Sequence, residues 1–215
     1  YGEVDRLSRQ IIAFLASRGI GAGDRVAFLG KNAASYGVLY CACARVGIVI
    51  APVGWRLAAR EIAYILADTE AKLLVAAPDF MELAEKAMAE LASPPELLGD
   101  AAMLTEAGAC EPTSFTPCGA DDPILQLYTS GTTGQPKGVP LSHANLLHQL
   151  RHLGVAVAPQ PGDRVLSVLP IWHAYERSAE YFLLACGCSQ TYTNLKQLRP
   201  DLQRVRPHYL ISVPR

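Results

Sequence analysis

Residues 127 to 143 read LYTSGTTGQPKGVPLSH, and the residue types and spacing in that run could bind a polyphosphate. Gly131, Gly134 and Gly138 carry no side chain, so backbone N–H groups there can point at an anion. Thr129, Ser130, Thr132 and Thr133 add hydroxyl donors, and Lys137 adds a mobile positive charge. A phosphate chain needs many donors at once, and this run supplies them. Glycine and proline break helix and strand interiors, so the run is expected to be a loop delivered by a strand and followed by a helix. It is not a Walker P-loop. That motif needs Gly-Lys followed by Ser or Thr, whereas here Pro136 precedes Lys137, with Gly138 and Val139 behind it. Gly-x-Gly-x-x-Gly is also absent from the loop, which excludes the dinucleotide fingerprint. The bland alternative is a surface turn with no ligand.

The cysteines invite a metal reading and do not sustain it. They stand at 41, 43, 110, 118, 186 and 188. In a helix, residues two apart do not share a face, and the spacing fits none of the usual zinc patterns. Small buried thiols are expected, and no metal-ligating residue is assigned. The formal net charge of −1 over 215 residues argues against a general nucleic-acid binder, which would normally be clearly basic. The balance is uneven: residues 1–120 carry 10 basic and 14 acidic side chains, residues 121–215 carry 9 and 6. The second part therefore suits an anionic ligand better than the first.

The elements that must position this loop follow from periodicity. Val4, Leu7, Ile11 and Leu15 recur at helical spacing, with Gly19 closing the helix. RVAFLG reads as a strand, 33–46 as a helix, IVIAPV as a strand, AAREIAYILAD as a helix, KLLVAA as a strand and 79–92 as a helix. Residues 33–55 are apolar apart from Arg45, but that arginine with Gly47, Pro52 and Gly54 argues for a buried helix and strand over a membrane span. Residues 93–123 show no period and read as a connector. Beyond it, ILQLYT is a strand, Ser142 can cap a helix to about 154, RVLSVLP is a strand and 174–186 a helix. SQTYT and HYLISVP then flank a short helix near 195–205. The alternation predicts an α/β fold with two mainly parallel sheets and flanking helices, divided into 1–120 and 121–215. GDRV occurs at 23–26 and again at 162–165, either an echo of two related halves or simply a good helix-to-strand connector. The chain begins at Tyr1 without an initiator Met and ends at Arg215 after an apolar run, and it reads as a piece of something longer.

YTSGTTGQPKGV resembles the phosphate-loop signature of the adenylate-forming (AMP-binding) superfamily, which contains acyl-CoA synthetases, luciferases and peptide-synthetase adenylation domains. GDRVAFLG and APVGWRLAAREIAYILADTEAKLLV resemble the early N-terminal domain of its acyl-CoA ligases. PGDRVLSVLPIWHAYERSAEYFLLACG with PHYLISVPR is most similar to long-chain fatty acyl-CoA and acyl-ACP synthetases of the cyanobacterial and plastid type. The resemblance spans essentially the whole chain.

It implies an incomplete N-terminal domain of an enzyme that joins a carboxylic acid to ATP as an acyl-adenylate, then passes the acyl group to a thiol. The cofactors implied are ATP and Mg2+, and the partners are a fatty acid and CoA or acyl carrier protein. Thr129, Ser130, Gly131, Thr132, Thr133, Gly134, Lys137 and Gly138 would hold the nucleotide. Amino-acid-adenylating members place Phe-Asp where this chain has Trp172-His173, and their Asp holds the substrate ammonium. His173 therefore favours a plain carboxylic acid, and with Lys137 it is the expected catalytic residue; Trp172 and His173 would touch the substrate. A structural histidine is the alternative. Trp172, Tyr175 and the run 181–185 either line an acyl tunnel or form core. Glu176-Arg177 resembles the long-chain pattern, and an internal ion pair explains it equally well. Lys196, Arg199, Arg204 and Arg206 are either a docking face for an acidic carrier protein or a solvated helix face. A cytoplasmic enzyme is implied, with peripheral membrane association of the full-length protein open. The family's acidic magnesium ligand, ribose-binding aspartate, hinge and second catalytic lysine lie beyond Arg215, so this stretch alone is expected to be inactive. A ligase for short-chain or aromatic acids and a non-catalytic nucleotide-binding module remain alternative readings.

Overall fold

The computed structural model describes residues 1–129, 135–155 and 157–212. It contains two compact units, Tyr1–His143 and Ala144–Arg215. In the first, the chain runs α1 (Gly2–Ser17), β1 (Arg25–Leu29), α2 (Ala34–Val46), β2 (Val49–Val53), α3 (Ala59–Thr69), β3 (Leu73–Ala76), α4 (Met81–Met88), β4 (Glu96–Gly99), α5 (Asp100–Gly108), β5 (Pro123–Thr129) and β6 (Lys137–Ser142). These strands form one sheet in the order β4-β3-β1-β2-β5-β6, parallel except for the last pair. β1, β2 and β3 are almost wholly buried, as apolar strands covered on both faces must be. Ala27 and Leu29 turn toward a cluster with Ile62, Ile65, Leu66 and Ala84 of α3 and α4. Phe28, one residue out of phase, meets Tyr36 of α2 with ring centroids 5.2 Å apart.

The second unit contains α6 (His143–Leu153, whose first residue belongs to the first unit), β7 (Arg164–Ser167), α7 (Ala174–Ala185), β8 (Ser189–Tyr192), α8 (Leu198–Val205) and β9 (Tyr209–Ile211). Its sheet has the order β8-β7-β9, all parallel. Val165, Phe182, Leu183, Cys188 and Ile211 are its core, with Leu150 and Leu153 packed against them.

Three differences from the sequence reading matter. First, 93–123 is not a bare connector. It supplies β4, which pairs with β3 at the sheet edge, and the short helix α5, where Met103 and Ala107 are buried. A four-residue edge strand is too short to show a period, and α5 follows it with no turn between. Second, the run from Lys137 does not lead straight into a helix. It returns as β6, antiparallel to β5, and only then does α6 begin. Pro140 discouraged a strand there, but β6 lies at the sheet edge, where a missing N–H is tolerated. Third, that pairing ties 123–129 and 137–142 into the first sheet, and the first compact unit runs to His143.

The GDRV echo is structural. In the first copy, Gly21 N donates to Asp24 Oδ2 at 2.8 Å, Gly23 N to Gly47 O at 2.8 Å, and Val49 N to Asp24 O at 2.9 Å. In the second, Gln160 N donates to Asp163 Oδ2 at 2.8 Å, Gly162 N to Gly187 O at 2.9 Å, and Ser189 N to Asp163 O at 2.8 Å. Gly23 and Gly162 adopt φ of 83° and 89°, a conformation that favours glycine. The agreement extends past the turn: β1 lies between β3 and β2 as β7 lies between β9 and β8. Arg25 faces Val49 across its ladder as Arg164 faces Ser189. A local connector would not carry the strand order with it. Each unit is built on one βαβ plan.

Candidate functional site

Thr129 and Lys137 face each other as the last residue of β5 and the first of β6, on either side of the glycine-rich run in the sequence. The candidate phosphate ligands Ser130, Gly131, Thr132, Thr133 and Gly134 lie outside the described residues. Lys137 is exposed.

What holds the hairpin is one register step inward, where Tyr128 faces Gly138. Tyr128 donates its hydroxyl to Asp68 Oδ2 at 2.6 Å and accepts from Gln126 Nε2 at 2.8 Å, with Thr69 Oγ1 3.0 Å away. The strand that delivers the turn is thus pinned to the end of α3. A Cβ on Gly138 would lie 2.5 Å from Gln126 Nε2 and 3.2 Å from the Tyr128 hydroxyl, so a side chain there would shift the Gln126 amide. Burial, then the neighbouring Asp68 carboxylate, pushes the Tyr128 hydroxyl up to about 12. Tyr128→Phe is expected to cost about 1–2 kcal/mol, the penalty for lost and orphaned hydrogen bonds, read as a lower urea midpoint at unchanged slope.

The second candidate stretch leaves the carboxyl end of β7, the middle strand of its sheet. Ligands of parallel α/β sheets gather outside such strand ends. Ile171 is buried, Trp172 half-buried and His173 exposed. His173 is the N-cap residue of the 12-residue α7; its N–H donates to Pro170 O at 3.0 Å, and its carbonyl accepts from Arg177 N at 3.1 Å. Its imidazole therefore sits at a helix N-terminus, where unpaired N–H groups and the helix dipole favour an anion. Tyr175 is exposed, whereas Phe182 and Leu183 belong to the core. The tunnel reading of 181–185 gives way to packing at those two positions.

Sequence reading gave Glu176-Arg177 as a family pattern or an ion pair. The structure shows a larger cluster. Glu176, Arg177 and Glu180 are all buried, at 0%, 1% and 1% exposure. Arg177 Nη2 lies 2.6 Å from Glu180 Oε2, and Tyr192 donates its hydroxyl to Glu180 Oε1 at 2.7 Å. Ser167 donates its hydroxyl to Glu176 Oε1. One cation thus faces two carboxylates away from water, and Glu176 is the surplus. Burial pushes its pKa up to about 7, against the downward pull of Ser167 and Arg177. Charged residues at i, i+1 and i+4 on an otherwise apolar helix were the signal available in the sequence.

A pH dependence follows. Between about 4.5, the ordinary value, and about 7, the unfolded chain releases this proton while the folded chain keeps it. Stability should therefore fall as pH rises through that window, by about 3 kcal/mol in all, and level off above it. Glu176→Gln should flatten the curve and be more stable than the parent at pH 8. Urea midpoints measured from pH 4.5 to 8.5 test both.

The remaining candidates resolve more simply. Arg204 is exposed and paired with Asp201 Oδ1 at 2.8 Å within α8, a solvated helix face. Cys43 and Cys188 are buried, and burial pushes both thiols up. Among the described residues no group of three or more His, Cys, Asp or Glu could hold a metal ion, and no helix is long and apolar enough to cross a membrane.

The profile of the AMP-binding enzyme family matches residues 1–215. The chain belongs to that family. Over 95 residues it is 56% identical to a chloroplastic long-chain-fatty-acid–[acyl-carrier-protein] ligase of Arabidopsis thaliana, covering 44% of this chain and 13% of the relative. Over 150 residues it is 41% identical to a fatty acid–[acyl-carrier-protein] ligase of Streptomyces coeruleorubidus, covering 66% of this chain and 28% of the relative. The inhibitor-bound N-terminal domain of FACL13 from Mycobacterium tuberculosis superposes with a TM-score of 0.91 at 26% identity, covering 100% of this chain and 56% of that one. The chain thus spans between 13% and 28% of the length of these two curated relatives. The α/β architecture is that of the N-terminal domain of adenylate-forming enzymes, as the sequence motifs imply.

Proposed function

We propose that this chain is the nucleotide-binding part of a ligase that activates a fatty acid with ATP as an acyl-adenylate and passes the acyl group to CoA or acyl carrier protein. The observation that carries the reading is its 56% identity with a fatty-acid–[acyl-carrier-protein] ligase. The exposure of Lys137 at the start of β6 and of His173 at the head of α7 supports the reading.

In the first step a carboxylate attacks the α-phosphorus and pyrophosphate leaves. The obstacle is an anion meeting a polyanion, so the protein must neutralise charge and hold the reactants in line. Lys137 would pair with the outgoing phosphates, with Thr129, Ser130, Thr132 and Thr133 donating beside it and Gly131, Gly134 and Gly138 letting the backbone close in. His173 would face the acyl carboxylate and α-phosphate from the N-terminus of α7, with Trp172 beside the acyl chain. Mg2+, the cofactor implied together with ATP, would help to screen the phosphate charge. The enzyme would act in the cytoplasm.

The test is carboxylate-dependent ATP–pyrophosphate exchange by the full-length protein, across acids from acetate to stearate. Exchange that peaks with long chains supports the reading. A peak with short or aromatic acids replaces the substrate, and no exchange from folded protein removes the chemistry.

A further inference from the structure

The two units supply an internal control for the buried charges of α7. Their ladders align Phe28 and Pro52 of the first unit with Ser167 and Tyr192 of the second. Their helix starts align as well, since Gly37 N donates to Ala33 O as Arg177 N donates to His173 O. Glu176, Arg177 and Glu180 therefore stand where α2 has Tyr36, Gly37 and Tyr40. The first unit closes this corner with the Phe28–Tyr36 ring contact, and the second with the Ser167–Glu176 hydrogen bond. The βαβ plan does not need the charges, and burying them is unfavourable. Something other than folding accounts for their presence.

Their partners say what. Ser167 and Tyr192 are the last residues of β7 and β8, so each bond ties the first turns of α7 to the carboxyl edge of the sheet. His173 is the residue that caps those turns. We infer that Ser167, Glu176, Arg177, Glu180 and Tyr192 form a positioning cluster that fixes the His173 imidazole at the head of α7. This rests on the proposed role of His173 in adenylation. An apolar corner can slide, because packing is non-directional; hydrogen-bonded charges resist sliding, because their geometry is directional.

The experiment uses the full-length protein with Ser167→Ala, Tyr192→Phe, His173→Ala and the double variant His173→Ala/Tyr192→Phe. Ser167→Ala and Tyr192→Phe should each lower kcat for exchange by roughly 10- to 100-fold, the scale of a small misplacement, with the KM for ATP unchanged. The double variant should fall no further than His173→Ala, because the cluster acts through that side chain. Losses that multiply, or single variants that match the parent, overturn the inference. In parallel, NMR of ring-labelled histidine should show the His173 signals shifted or broadened in Ser167→Ala and Tyr192→Phe. Unmoved signals overturn the inference even if the parent enzyme shows no exchange with any acid, an outcome that would remove the proposed function instead.

Discussion

Lys137→Ala is expected to slow acyl-adenylate formation by about 10²- to 10³-fold, the usual cost of removing one preorganised charge-stabilising donor. Thioester formation from preformed adenylate should change far less. The asymmetry follows from where charge develops. In the proposed reaction pyrophosphate departs in the first step only, and an ammonium at the start of β6 would offset that charge as it grows. Lys137 begins β6 directly opposite Thr129, and Tyr128, one position inside, anchors the hairpin to Asp68. The side chain is exposed while its backbone is held, which suits a group that must reach a substrate. Single-turnover measurement of each half-reaction on the full-length protein separates the two rates. Equal slowing of both would sink the assignment and make Lys137 a general support of the turn. Lys137→Arg should recover part of the first rate, since charge is kept while the reach and shape of the donor change.

Arg177→Met is expected to destabilise the protein by about 3–5 kcal/mol, the range for removing one member of a buried ion pair. The cause is what remains. Glu180 would stay buried with the Tyr192 hydrogen bond but without its cation, next to the already surplus Glu176. Arg177→Met/Glu180→Met should be less destabilised than Arg177→Met alone, because the stranded charge leaves with its partner. Urea unfolding of parent, singles and double at pH 6 closes the cycle. Additive losses would mean that the two side chains do not share an energy.

Legibility in the sequence tracked the range of the interactions involved. Helices α1, α2, α3 and α7 and strands β1 to β3 lie where apolar spacing puts them, because each buries its own face against a sheet or helix. β4 and β6 were missed for a related reason. Both are edge strands whose existence depends on a neighbour distant in sequence or across a turn, and both are short or interrupted by proline. The ion pair shows the same limit. Helical spacing would have allowed Arg177 to meet Glu180, but nothing local says that Ser167 and Tyr192 arrive from two strands to complete the cluster.

The residues alone determined the family and the α/β alternation, since each is written in contiguous composition and spacing. The tertiary structure decided that β6 pairs back on β5, that the two GDRV copies head equivalent βαβ units, and that two carboxylates of α7 share one arginine in the interior. Those outcomes depend on which strands pair and what is excluded from water, and both are properties of the folded chain rather than of any short stretch of it.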